Sequence, residues 1–126
     1  MPYSKSKHTV RANAVLTSAY VAGTVFSADR QNYLAVLIKY TKGDETSLNV
    51  KIETSVDGGT TYGQQVTETT SGGNVAVALA QYDFTATGNY WIVVSPFLAD
   101  TVKISVKATG GTPTGQVGVD ALTGSV

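Results

Sequence analysis

The sequence predicts an all-β protein: a single β-sandwich, jelly-roll-like, with about eight antiparallel strands. Apolar and polar residues alternate from about residue 33 onward, Gly-rich turn sequences recur along the chain, and Val and Thr are abundant. A side-chain period of two places the apolar residues of a strand on one face, which is buried against a second sheet. The 126 residues suit one domain, whose core can form without disulfides, and the chain has no cysteine.

Individual strands are clearest where the alternation is strict. Residues 102–108 alternate between apolar residues and Lys or Ser, and residues 48–53 and 117–121 also have an apolar residue at every second position. In residues 75–80 larger apolar residues alternate with alanine. Residues 33–40 and 90–94 are apolar at nearly every position, which predicts central strands or strands whose second face is an interface. The order of the strands in the sheets stays open.

The turns between these strands are rich in glycine, which supplies the positive φ that tight turns require. One of them, residues 55–62 (SVDGGTTY), resembles the Asp-box of sialidases, with Tyr62 in the place of Trp. In that family the box stabilises a hairpin and is not the catalytic site. We therefore interpret a set of four residues as turn-stabilising and structural: Asp57, Gly58, Gly59 and Thr61.

Charged residues are few and balanced in sign. The chain has nine basic and nine acidic residues, which together make up 14% of it. No overall field would attract nucleic acid or a membrane surface, and neither is predicted as a partner. Lys5, Lys7 and Arg11 nevertheless lie together without an acidic neighbour. We predict a basic N-terminal arm over residues 1–11, ahead of a sandwich domain over residues 12–126. The arm is either a solvated terminus or a segment that docks on an acidic partner.

Few residues of the sequence could support catalysis or metal binding. His8 is the only histidine and belongs to the predicted arm, so neither a His-based nucleophile nor a His/Cys metal site is expected. The carboxylates are dispersed among turns, and no glycine-rich loop leads from a strand into a helix to hold phosphate. We predict that the protein is not an enzyme and uses no cofactor. Tyr90 and Trp91 point to opposite faces of one strand, where the outward ring would be an interface anchor or a sugar-stacking platform.

The part of the chain from about residue 32 to residue 126 looks like small β-sandwich proteins from the head and neck gene clusters of tailed bacteriophages. The resemblance is carried by residues 54–62, by residues 88–92 (GNYWI) and by residues 101–115 (TVKISVKATGGTPTG). That group includes capsid decoration proteins, head fibres and neck or tail components, and it has no shared catalytic residues. The resemblance implies a structural role in a virion.

We therefore expect a capsid decoration (cement) protein that binds the outside of a phage head and stabilises it. Its partner would be the major capsid protein or another virion protein, and the low charge favours a homo-oligomer, with a trimer preferred. No apolar run follows Lys5 and Lys7 as in a secretion signal, so we expect synthesis in the host cytoplasm and localisation in the virion. The alternatives are a phage neck, tail or head-fibre component and, from another class, a carbohydrate-binding module.

Overall fold

The structure is a computed structural model and describes residues 4–94 and 98–125. Over these residues the protein is all-β, with twelve strands and no helix. Eight of the strands have six residues or more, which corresponds to the number predicted, and four have only two or three. The strands are β1 Ser4–Val15, β2 Val21–Ala22, β3 Phe26–Ser27, β4 Tyr33–Thr41, β5 Ser47–Ser55, β6 Gly63–Gln64, β7 Val66–Ser71, β8 Asn74–Leu79, β9 Tyr82–Phe84, β10 Gly88–Val94, β11 Thr101–Thr109 and β12 Gln116–Ser125.

Two antiparallel sheets form the sandwich. The four-stranded sheet has the order β1-β12-β4-β10. The six-stranded sheet has the order β2-β11-β5-β6, with β3 also pairing β11 and β9 also pairing β5. The chain passes directly from one of these sheets to the other at six connections, among them all three from β9 to β12, which is the jelly-roll arrangement and confirms the predicted fold class. The hairpin β7–β8 is inserted between the short strands β6 and β9.

The core lies between the two sheets and follows the period-two pattern. Apolar side chains of β4, β5, β11 and β12 that face inward are at most 8% exposed, and Val36, Ile38 and Val102 have no exposed surface. The directly paired strands β5 and β11 bring Ile52 opposite Ile104. Burial of this kind stabilises a fold by about 25 cal/mol for each Å² of apolar surface removed from water.

The first strand corrects the predicted arm. Residues 4–11 belong to β1, which pairs with β12 from Ser4 opposite Ser125 to Val15 opposite Gln116, so the boundary between residues 11 and 12 falls inside a strand. Val10 is 2% exposed, and the ring of His8 stacks on Phe26 with centroids 4.6 Å apart. Lys5 and Lys7 alternate with these positions and point outward. Residues 1–3 of the predicted arm lie outside the described residues.

Two further expectations about individual strands change. Residues 90–94 belong to β10, an edge strand of the four-stranded sheet, and not to a central one. Val75, Val77 and Leu79 were expected to be buried, but all residues of β7 and β8 are exposed. The apolar pattern indicated a strand correctly in both cases, but it carries no information about where that strand lies in a sheet or whether a second sheet covers it.

Candidate interaction surface

The turn after β5 uses its polar groups internally. The hydroxyl of Ser55 donates to Asp57 Oδ1 at 2.6 Å and accepts the amide of Gly59 at 3.0 Å. Asp57 Oδ1 also accepts the amides of Thr60 and Thr61 at 3.1 and 2.9 Å. The bond from Ser55, followed by that from the Thr61 amide, lowers the pKa of Asp57 to about 2.

The backbone of the same turn explains its glycines. Gly58 and Gly59 have φ values of 73° and 97°, in the left-handed region that favours glycine. The amide of Gly58 lies 3.3 Å from Asp100 Oδ1, which ties the turn to the residues before β11. These contacts place Asp57, Gly58, Gly59 and Thr61 in the turn itself, with the carboxylate bonded to the turn's own groups.

A buried carboxylate joins the β4–β5 loop to the β11–β12 loop. Glu45 has no exposed surface, and its Oε2 accepts the Tyr40 hydroxyl at 2.6 Å and the Gly43 amide at 2.7 Å. Its Oε1 accepts the amides of Thr114 and Gly115 at 3.1 and 2.7 Å. Burial alone would raise the pKa of Glu45, but the bonds from Tyr40, Gly43 and Gly115 outweigh it and lower the pKa to about 2.

No pattern in the sequence singles out Glu45. Its partners Thr114 and Gly115 are about seventy positions away along the chain, and two acidic residues after a glycine resemble an ordinary exposed turn. Glu45 is buried, and the pKa of Tyr40 is raised by burial and by the Glu45 carboxylate. We therefore interpret Glu45 as a structural clamp between the two loops. The two oxygens are fully used by protein donors, so they offer nothing to a ligand.

The three basic residues of the predicted arm divide into two groups. The guanidinium of Arg11 donates to the carbonyls of Val117, Ala14 and Val15 at 3.1, 3.2 and 3.0 Å, so it stabilises the irregular pairing of β1 with β12. Lys5 and Lys7 are exposed on β1, opposite Gly124 and Leu122 of β12. Only the two lysines are positioned to meet a partner.

The outward side of the four-stranded sheet carries an apolar surface. Trp91 of β10 lies opposite Leu37 of β4, and Val93 lies opposite Ala35, which in turn lies opposite Leu122 of β12. Trp91 is 55% exposed and Val93 is 68% exposed. We call this group the outer apolar face: Ala35, Leu37, Trp91, Val93 and Leu122. An ion pair between Lys39 and Asp120, 2.9 Å apart, lies on the same side of the sheet.

The structure assigns the two neighbouring aromatic residues of β10 to different environments. Tyr90 faces inward, where its ring stacks on Phe84 with centroids 4.7 Å apart and its hydroxyl donates to the carbonyl of Ala86 at 2.6 Å. Trp91 is the outward ring. The outer apolar face therefore has a large anchor residue at one side.

The outward side of the six-stranded sheet is different in character. The ammonium groups of Lys51 and Lys107 lie 4.6 and 4.8 Å from the ring centroid of Tyr20, and that of Lys103 lies 4.2 Å from the ring of Tyr62. In such cation–π contacts the ammonium group covers the face of the aromatic ring. The two sides of the sandwich thus present a charged surface and an apolar surface.

A groove runs along the free edge of β10, between the two sheets. Among the described strands β10 pairs only with β4, and β9 on the other side of the groove pairs with β5. The groove has a volume of about 480 Å³ and is lined by Gln81, Tyr82, Asp83, Phe84, Trp91, Ile92 and Val93. A second cavity of about 370 Å³ shares Tyr82 with it and reaches Leu34, Ile52 and Val94. We call the first of these the β10 groove.

The described residues contain no cluster of three or more His, Asp or Glu side chains that could hold a metal ion. Within the same ranges no helix is long and apolar enough to cross a membrane.

Comparison with known proteins defines the class at the level of the fold. No protein-family model and no curated protein matches the sequence. Solved structures do match over nearly the whole chain, and they include proteins of viral and prophage origin. At identities below 25% these matches show a shared fold.

The SPBc2 prophage-derived protein YomS is 18% identical, with a TM-score of 0.61 over 99% of this chain and 96% of its own. A chain of infectious bursal disease virus, Gx strain, is 11% identical, with a TM-score of 0.54 over 99% of this chain. A chain of the T13 particle of the same virus is 13% identical, with a TM-score of 0.54 over 96% of this chain. The protein spans only about a third of those viral chains, 33% and 31% of their lengths.

Proposed function

We propose that the protein is a virion structural protein, a capsid decoration protein that attaches to the outside of a phage head as a homo-oligomer, with three copies preferred. The observation that carries the proposal is the outer apolar face, which lies on a jelly roll without a metal cluster in its described residues. Its fold is shared with a prophage-derived protein and with chains of virus particles, which supports the same assignment.

Attachment would use the outer apolar face as the contact with the shell. Trp91 would be the anchor, because large aromatic rings contribute most to affinity when a contact buries them, and Leu37 and Leu122 extend the surface across the sheet. A stable contact of this kind buries about 800 Å² on each partner.

Lys5 and Lys7 would add an electrostatic component at the border of this contact. They are exposed on the edge strand β1, beside Leu122 and Gly124, and they would face acidic groups of the major capsid protein or of another virion protein. Exposed charge contacts weaken as salt screens them. The lysines would therefore mainly speed and orient attachment, while the apolar face holds the complex.

The test uses heads of the phage or prophage that carries this gene, purified without the protein. We expect the protein to co-sediment with the heads and to raise the temperature at which they open. Trp91→Ala should abolish co-sedimentation while the melting temperature of the free protein stays near that of the wild type. Leu98→Ala is the matched control, because Leu98 is 85% exposed but precedes β11 outside the sheet.

The same experiment separates the alternatives. Attachment to necks, tails or head fibres in place of heads would identify another virion component that uses the same face. Binding to a glycan array that Trp91→Ala removes, without binding to any virion part, would identify a carbohydrate-binding module. Either result would overturn the assignment as a decoration protein.

A further inference from the structure

The hairpin β7–β8 has a surface that the single chain does not cover. Its twelve residues are all exposed, and Val75, Val77 and Leu79 form one side of β8 with exposures of 58%, 63% and 66%. An isolated two-stranded hairpin is only marginally stable in water, since it has no second layer on which to bury its apolar side. The hairpin is therefore suited to a contact outside its own sandwich.

The β10 edge of the four-stranded sheet is the second uncovered feature. The opposite edge, β1, carries Lys5 and Lys7 and has two register shifts, features that discourage another strand from pairing with it. β10 runs from Gly88 to Val94 without a charged residue and pairs in unbroken register with β4. Its free backbone groups are accessible to an added strand.

The two features match each other in length, polarity and shape. β8 has six residues and β10 has seven, and neither contains a charge. The large side chains of β8 lie on one side, and Ala76 and Ala78 lie on the other. Suppose that β8 lies beside β10 with Val75, Val77 and Leu79 turned towards the core of the neighbouring sandwich. These three side chains would then enter the β10 groove. Ala76 and Ala78 would lie on the outward side of the sheet, where their small side chains leave room for Trp91 and Val93.

We propose that β8 of one copy adds to the free edge of β10 in a second copy of the chain, so that the hairpin extends the four-stranded sheet of its neighbour. The addition would supply partners to the backbone of β10 and cover the large side of β8 in one step. β8 is the paired strand because β7 carries Glu68, whereas β8 is uncharged.

The donor and the acceptor belong to different copies. The base of the hairpin is fastened to its own sandwich, because β6 and β9, which flank the hairpin, both pair with β5. The side chain of Gln64 in β6 also donates to the carbonyl of Ala80. From that base both sides of the hairpin are exposed and do not cover their own β10. Because the hairpin and the edge are different surfaces, the contact is head-to-tail, and such a contact gives a ring such as a trimer when the rotation between copies closes.

The inference rests on the self-association in the proposed function and not on attachment to a shell. Since the chain has no cysteine, single cysteines can report the contact. Ala76→Cys and Ala78→Cys proteins, each mixed with Val93→Cys protein and oxidised, test the two neighbouring registers. We expect one mixture to give a mixed disulfide dimer, because cysteines cross-link only when their Cα atoms are within about 7 Å. The corresponding double variant should give covalent rings, and Lys5→Cys mixed with either alanine variant should stay uncross-linked.

A second measurement requires no cysteine. Val77→Lys should convert the oligomer to a monomer in sedimentation while the sandwich keeps its melting transition. Thr69→Lys, on the other strand and the other side of the hairpin, should remain oligomeric. A monomeric wild type, or an oligomer that neither cross-links nor responds to Val77→Lys, would overturn this interface. Cross-linked rings that fail to bind heads would overturn the proposed attachment and leave the interface in place.

Discussion

Replacing Glu45 by Gln tests whether the buried carboxylate holds two loops together. Glu45 accepts four donors, two on each oxygen, whereas a Gln side chain must turn its NH₂ group towards one of these donor pairs. Tyr40 can reorient its hydroxyl to accept, but the Gly43 amide cannot. The substitution therefore leaves a backbone donor unpaired in a site with no exposure to water.

The expected magnitude follows from the pKa of Glu45. The fold lowers this pKa from 4.5 to about 2. That difference corresponds to about 3 kcal/mol of folding free energy at neutral pH. For a chain of 126 residues we expect the melting temperature of Glu45→Gln to fall by about 10 °C.

The pH dependence gives the sharper assay. Because the pKa is lower in the folded than in the unfolded protein, the stabilisation is complete above pH 4.5 and is lost as the pH falls through about 2. The difference in melting temperature between wild type and Glu45→Gln should therefore shrink across that interval, as measured by calorimetry. Glu68→Gln is the control, since it makes the same chemical change on the exposed hairpin.

Two results would refute the reasoning. A Glu45→Gln protein that melts with the wild type at pH 7 would show that the carboxylate does not clamp the loops. A deficit that stays constant down to pH 2 would show that the loss comes from packing and not from the ionised group.

Three further substitutions test other parts of the structure. Asp57→Ala should lower the melting temperature by a few degrees, and attachment to heads should fall only in proportion to the loss of folded protein. An unchanged melting temperature with loss of attachment would identify the turn as a binding site. Gly115→Ala should destabilise at least as much as Glu45→Gln in calorimetry, because the added methyl group would overlap the Glu45 carboxylate, and unchanged melting would mean that the loops can separate. The double substitution Lys5→Gln and Lys7→Gln should preserve melting but weaken attachment at low salt, and equal attachment at low and high salt would remove the electrostatic role.

The sequence predicted the fold where alternation and burial coincide. Strands β5, β11 and β12 have apolar residues at inward positions, so their period of two is visible in a single sequence. The first half of β1 was predicted as an arm because one of its inward positions holds His8, which packs by stacking on Phe26 and not by aliphatic burial. The hairpin shows the reverse, since its alternation is regular but no second sheet covers it.

The candidate surface was only partly predictable for related reasons. Alternation requires Tyr90 and Trp91 to face opposite ways, but which of them faces outward depends on the sheet to which β10 belongs. The apolar outward positions of residues 33–40 and 90–94 indicated central strands or an interface, and the structure places them side by side on one open face. Glu45 and its partner loop could not be paired from the sequence, because the contact depends on the jelly-roll connections.

The position of β12 has a consequence for how the chain folds. β12 lies between β1 and β4, so the four-stranded sheet lacks one of its two interior strands until residues 116–125 have left the ribosome. Until then β1 has no partner in that sheet, and β10 is the only strand paired with β4. Pairing between distant strands slows folding because a long loop must close first, and unpaired edges favour aggregation during the delay. Weaker expression, which lowers the concentration of incomplete chains, should therefore raise the soluble yield of this protein.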